Sequence, residues 1–401
     1  MVLDVRQNKT ILVVEAQALG MIGVIRGLGT AGYRVIAASC HEDALGLQSN
    51  FASEAYVCPS YDSGDYLVWL NGILAEKKID AIVPSEGFLL AIQDHFEAYT
   101  SLLPGNVDKA TTFKCLSKSD VFHSFLSADD QSLVKHHIPK TIVVTAADEV
   151  PTEKDLARLG LPIWIKVDAC HARGVDNFGT IIKADTQEDA ARIIDELLPA
   201  SEKILVQSHE VGVKATVNLC VHQGVLLARS ECVATHENPH TGGLTALRHN
   251  WVQEAMFEDA MARIRHLEWD GVAMMEYKWD AVRQDFCFIE INSRFWAGLH
   301  VDLFTGINFP QIQLDAFFGL TPTPVLRPTR YLTVRSTLPA DFGYMMSKVR
   351  DRNVADRDRL MAFLGFFGLF LNPFVKSDLL FPGDRHLYAM QVKKFVRDLF
   401  R

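Results

Sequence analysis

The stretch 272–298, VAMMEYKWDAVRQDFCFIEINSRFWAG, holds the residues best suited to chemistry. Glu290 and Asn292 alternate with Ile289 and Ile291, and Arg294 follows two residues later. VAMMEYKW and FCFIEIN read as two strands, joined by the polar DAVRQD into a hairpin. A turn centred on residues 282–284 sets Glu276 opposite Glu290, with Cβ atoms about 4.5–5.5 Å apart. Carboxylates that close repel, so a cation must accompany them. Two acids and an amide carbonyl are hard oxygen donors. They suit Mg²⁺, with Mn²⁺ as its substitute, which fills its remaining positions with water and substrate phosphates. Arg294 has the planar fork that grips a phosphoryl group. Strand alternation puts Phe286 and Phe288 on the face of Glu290 and Asn292 and sends Ile289 and Ile291 into the core. The plain alternative is an exposed hairpin with scattered charges.

Other segments supply groups of matching chemistry. IWIKV (163–167) is an apolar strand carrying Lys166, a charge that must be paired when buried. A phosphate oxyanion would pair it. Residues 168–179 follow, with Gly174 and Gly179 among polar residues, before a second strand, GTIIK. Such a loop can lay backbone N–H groups over phosphates. A helix is expected to start near Ser117–Asp120, carrying Lys118, and another over 186–198 with Thr186 as its N-cap.

The IEINSRFW run, with an acid on the neighbouring strand, resembles the metal-binding strand of the ATP-grasp superfamily. The resemblance covers roughly residues 10–320. It implies that Glu276, Glu290 and Asn292 hold Mg²⁺–ATP, and that Arg294 contacts the transferred phosphoryl group or an acyl-phosphate. It places Lys118 and Lys166 on ATP phosphates and makes 168–179 a glycine-rich lid, with Arg173 and Gly174 in its clearest fragment. In that lid Cys170, His171 and Arg173 stand where Gly and Ser are usual, so it also touches substrate. In the hinge that reads adenine, the matching positions are Gln207, Ser208, His209 and Glu210; Phe288 is implied as a further nucleotide contact. Lys214 stands where the family often carries a ribose-binding acid, a departure. The GG-x-T-x-x-R run brings Arg248 toward the acceptor.

The implied fold is α/β of the α+β ATP-grasp kind. It comprises a Rossmann-like domain over 1–115, an ATP-grasp domain pair over 116–325 with its lid-bearing part at about 140–210, and a C-terminal extension over 326–401. The first of these agrees with the residues themselves. TILVV, YRVIAAS and IDAIVP alternate with helical stretches as in βαβ units, and no G-x-G-x-x-G marks a dinucleotide site. Glu86 follows IVPS, at the carboxyl end of a strand, where open α/β sheets place ligands. Residues 229–250 read as a polar loop. Its histidines 236, 240 and 249 lack zinc-motif spacing.

Composition narrows the function classes. The chain has 401 residues, 48% hydrophobic and 22% charged, with net charge −9, which leaves no footprint for nucleic acid. Seven cysteines without a C-x-x-C pair, and an N-terminus carrying acids and only a short apolar run, lead one to expect a cytoplasmic protein. The apolar run 361–371 is too short to span a bilayer and is expected as a buried helix or a homodimer contact rather than a membrane segment. The chemistry implied is an ADP-forming ligase that joins a carboxylate to an amine, both small molecules. A carboxylase or carbamoyl-phosphate type enzyme and a non-catalytic nucleotide-binding protein are the competing readings.

Overall fold

The computed structural model describes residues 2–105, 108–145, 148, 150–171 and 179–400. Three sheets carry the molecule. Strands β1 (Thr10–Val13), β2 (Arg34–Ser39), β3 (Glu54–Val57) and β4 (Ala81–Val83) form a parallel sheet in the order β3-β2-β1-β4. The near-continuous apolar runs of β1, β2 and β4 are what strands covered on both faces require, while edge strand β3 alternates and is half exposed. Helix Leu19–Ala31 packs on this sheet with Met21, Val24, Ile25 and Leu28 buried.

Strands β5 (Thr141–Thr145), β6 (Ile163–Val167), β7 (Thr180–Ala184) and β8 (Lys203–Ser208) form a small antiparallel sheet in the order β5-β8-β6-β7. Helix Gln187–Leu197, capped by the Thr186 hydroxyl as expected, lies over it with Ala190, Ile193 and Ile194 inward. The expected lid joins β6 to β7.

The largest sheet runs β13-β12-β9-β10-β11-β14-β15. Its strands are β9 (Val213–His222), β10 (Val225–Asn238), β11 (Leu244–Trp251), β12 (Gly271–Asp280), β13 (Asp285–Asn292), β14 (Thr333–Arg335) and β15 (Val375–Ser377). The first correction lies here: residues 229–250 are mostly strand, not loop, and only 239–243 turn. Polar residues in these strands are paired rather than solvated. Arg229 bonds Glu231 and Glu254, and Asn218 donates to Ser230.

A second correction concerns faces. Glu276 pairs with Glu290 as expected, but Tyr277 pairs with Phe288, so Ile289 is an extra residue in a β-bulge. The bulge turns Phe286 and Phe288 to the side of Tyr277 and Ile291, away from Glu290 and Asn292, and leaves Ile289 half-buried. Strand alternation alone cannot foresee that slip.

The stretch after residue 325 is woven into the other parts. β14 pairs with β11, and β15 with β14. Arg26 of the first sheet's helix, fully buried, donates to Asp384 and to the backbone oxygen of Asp378. The apolar run 361–371 forms helix Asp356–Leu371, but it is not a core helix. Only Phe366 is buried, while Leu364, Phe367 and Leu371 are exposed. No helix among the described residues is long and apolar enough to cross a membrane.

Candidate active site

The hairpin β12–β13 lies at one edge of the large sheet, and its inner face carries the acids. One row of paired residues crosses the sheet: Glu290, Glu276, Thr216, Cys232. In the next row Met274 faces Asn292 on one side and Asn218 on the other. Asn292 Nδ2 donates to Glu290 Oε1 at 3.1 Å.

Lysines surround the two acids. Lys118 Nζ lies 3.5 Å from Glu290 and 3.8 Å from Asp168. It opens helix Lys118–Leu126, whose N-cap is Ser117, as the sequence leads one to expect. Lys214 Nζ lies 3.1 Å from Glu276 and also reaches the Gly243 carbonyl. This departure from the family pattern thus sets a cation against one of the two acids. Lys166 Nζ donates to Gln207 Oε1 at 2.8 Å, across neighbouring strands β6 and β8.

Charge balance follows from this packing. Burial raises the Glu276 carboxyl pKa and the nearby Glu290 raises it further, against Lys214. Burial also pushes on Glu290, yet Lys118, the Asn292 amide, Lys166 and Lys214 outweigh it and hold that group below its ordinary value. Glu290 is therefore the firmly ionised member of the pair. Burial lowers Lys166, with Lys118 adding to the effect and Glu290 opposing it. Burial opposes the charge on Lys118, but Glu290 and Asp168 raise its pKa overall.

A cavity of about 430 Å³ opens over these groups. Its lining includes Glu276, Glu290, Asn292, Lys214, Arg294 and Arg248. Leu19 enters from the first sheet's helix, and Ser336, Pro339 and Ala340 enter from the C-terminal stretch. Gly20 lets that helix approach: a Cβ there would lie 2.7 Å from the Trp296 carbonyl oxygen. Arg294 leans toward Glu86, with Nε 3.4 Å from its carboxylate, and Glu86 opens the helix that follows β4. Arg248, on β11, is buried and donates to Asp378 Oδ1 at 2.5 Å. Asp378, 130 residues away in sequence, is a partner that no local motif announced.

Other sequence-predicted residues are less directly placed. Ser208 Oγ donates to Glu210 Oε1, and His209 Nδ1 accepts from Trp164 Nε1. These three follow Gln207 at the end of β8, and none is among the residues lining the cavity. Gly212 (φ +136°), where a Cβ would meet the Trp279 backbone at 2.6 Å, closes the turn into β9. Phe288 is not brought to the cavity. It is fully buried against Tyr277, Phe122 and Phe125, on the far side of the bulge. Arg173 and Gly174 lie outside the described residues. His171, at the foot of the expected lid, bonds Ser117 at 2.8 Å and Asp120 at 3.1 Å.

The donor set fits a hard divalent ion. It offers two carboxylates and an amide on one face, with ammonium groups standing where counter-charge is needed. No cluster of three His, Cys, Asp or Glu side chains suited to a metal occurs among the described residues, so the set rests on two acids and Asn292.

No protein-family model and no curated protein matches the sequence. Solved structures do match the fold. An N5-carboxyaminoimidazole synthetase from Staphylococcus aureus, complexed with ADP, aligns over 81% of each chain at 16% identity and TM-score 0.59. An L-amino acid ligase from Bacillus licheniformis covers 81% of this chain and 79% of its own at 15% identity, TM-score 0.54. The biotin carboxylase domain of a Hydrogenobacter thermophilus 2-oxoglutarate carboxylase, solved with MgADP and bicarbonate, covers 81% of this chain and 73% of its own at 16% identity, TM-score 0.61. The chain has the ATP-grasp fold. The likeness at these identities is one of fold.

Proposed function

We propose that this ATP-grasp protein is an ADP-forming ligase that joins a carboxylate to an amine through an acyl-phosphate. The observation that carries the reading is the pairing of Glu276 with Glu290 beside Asn292, in one cavity with Lys214 and Arg294 and with Lys118 and Lys166 close by. Glu276, Glu290 and Asn292 would hold Mg²⁺. Bound there, the ion would supply positive charge to the phosphate oxygens. Lys118 and Lys166 bind the phosphates of ATP, and Gln207 to Glu210 receive its base. Arg294 orients the substrate carboxylate, whose oxygen attacks the γ-phosphorus as the bond to ADP breaks. The amine nitrogen then attacks the acyl carbon, inorganic phosphate leaves, and the amine gives up a proton. The work is positioning and electrostatics, so no Ser or Cys nucleophile is needed. The loop over 168–179, including Arg173 and Gly174, excludes water that would hydrolyse the acyl-phosphate.

The division into residues 1–115, 116–325 and 326–401 belongs to the same reading, as does a cytoplasmic location. The exposed Phe and Leu residues of helix Asp356–Leu371 suit a homodimer contact. The test is incubation with Mg²⁺–ATP and pools of carboxylates and amines, with ADP and condensed product followed by mass spectrometry. ADP release that needs both pools supports the ligase. Release that needs bicarbonate alone favours a carboxylase, and nucleotide binding without turnover favours a non-catalytic role.

A further inference from the structure

The cavity is chemically lopsided. Its acids and Lys214 occupy β13, β12 and β9, at one edge of the sheet. Toward β10, β11 and the C-terminal stretch the lining turns apolar, through Ala234, Leu244, Pro339 and Ala340, with Met274 and Trp296 beside the acids. The charge on that side is Arg248, and it is already answered by the buried Asp378.

The 336–340 wall is built rather than draped. Ser336 N donates to the Ala246 carbonyl oxygen, fixing its start to β11. At its end the buried Asp341 takes a hydrogen bond from His236 Nδ1 at 2.7 Å and pairs with Arg335. His236 in turn stacks on Tyr344 with ring centroids 3.9 Å apart.

From this arrangement we propose that the acceptor carboxylate carries an apolar substituent, seated against the 336–340 wall, and that Ala340 limits its size. The proposal rests on the ligase reading above. A phosphorylated substrate would bring about −1.5 to −2 further charge and would need a cation free to meet it. Each Lys or Arg lining the cavity already faces a carboxylate: Lys214 faces Glu276, Arg248 faces Asp378, and Arg294 faces Glu86. Of these pairs the Arg294–Glu86 contact is the loosest, at 3.4 Å, so Arg294 is the cation that a substrate carboxylate can recruit. An alkyl side chain asks for no further charge and gains from leaving water.

The test is calorimetry with a nonhydrolysable ATP analogue and Mg²⁺ present, titrating alanine, 2-aminobutyrate, norvaline and norleucine, with glutamate and phosphoserine as charged comparators. Affinity should rise roughly fourfold per methylene and should exceed that for either comparator. In Ala340→Leu the gain should stop at shorter chains while nucleotide affinity holds. Leu244→Asp, at an exposed position at the start of β11, should weaken the long members and provides the check if Ala340→Leu fails to fold. A flat series, no binding, or tighter binding of glutamate or phosphoserine would overturn the proposal. ADP release is read separately. A chain-length series without ADP release under any amine would remove the ligase reading and leave the apolar site standing. ADP release driven by the charged comparators would do the reverse.

Discussion

Replacing Lys214 with Met tests the electrostatic account of the site most directly. Lys214 Nζ stands 3.1 Å from Glu276, and both side chains are mostly buried, at 20% and 13% exposure. At an effective dielectric of about 20 their attraction is about 5 kcal/mol. Removing one partner of such a pair typically costs about 3–5 kcal/mol. Glu276 is already pushed toward protonation and can shed its charge, so the lower end applies, about 3 kcal/mol. For a chain of this length the melting temperature moves about 1–2 °C per kcal/mol, less than for smaller domains. Without a divalent ion the variant should therefore melt about 3–5 °C below the parent. With Mg²⁺ and nucleotide present the ion supplies the missing counter-charge, and the gap should close. The assay is differential scanning calorimetry of both proteins, with and without Mg²⁺–ADP. Equal melting in the absence of ligand, or a gap that Mg²⁺–ADP leaves untouched, would refute the view that Lys214 stands in for a cation.

Further outcomes are expected. Glu290→Gln should reduce ADP formation at least ~100-fold with unchanged circular dichroism; normal turnover would remove the metal assignment. Lys166→Met should weaken nucleotide binding roughly 10- to 100-fold, from the loss of a charged hydrogen bond; isothermal calorimetry reads this directly. Asp378→Asn should destabilise the protein by about 3 kcal/mol in denaturant unfolding, because Arg248 is left buried without its counter-charge; a loss under about 1 kcal/mol on this scale would contradict that. His171 gives a pH signature. Burial opposes its charge, but the Asp120 hydrogen bond and the neighbouring Cys170 raise its pKa to about 10. A raised pKa contributes stability that is complete below the unfolded value of about 6.5 and fades as pH climbs toward the folded one. Stability should thus fall between pH 7 and 10 more steeply in the parent than in His171→Gln.

Local signals carried well into the fold. The hairpin register that opposes Glu276 to Glu290, the Ser117 and Thr186 caps and the parallel run of β1, β2 and β4 all follow from short-range chemistry. Three features did not. The bulge at Ile289 reversed the faces of Phe286 and Phe288, because one inserted residue breaks a period of two. Residues 229–250 looked like loop because their charges are paired by residues such as Glu254 and Asp378, outside the segment. Of the two readings of the run 361–371, the buried helix failed and the subunit contact was left open, because composition reports apolarity and not what covers it. In the site, Lys118 and Lys166 were legible as lone charges in structured segments. The wall at 336–340 was not, since Ser, Pro and Ala carry no chemical signature of their own.

The ties from Asp378 and Asp384 back to Arg248 and Arg26 also bear on how the chain comes together during synthesis. Both arginines are made long before their partners. A ribosome-bound chain that stops short of β15 has the β12–β13 hairpin complete, yet must leave two guanidinium groups either hydrated or stranded. Vectorial assembly therefore waits for a late segment to lock it. A protease that clips the stretch between 325 and 333 would leave two fragments held by the β11–β14 pairing, packing and these ion pairs, and a salt-sensitive complementation of the two would expose the charged part of that clasp.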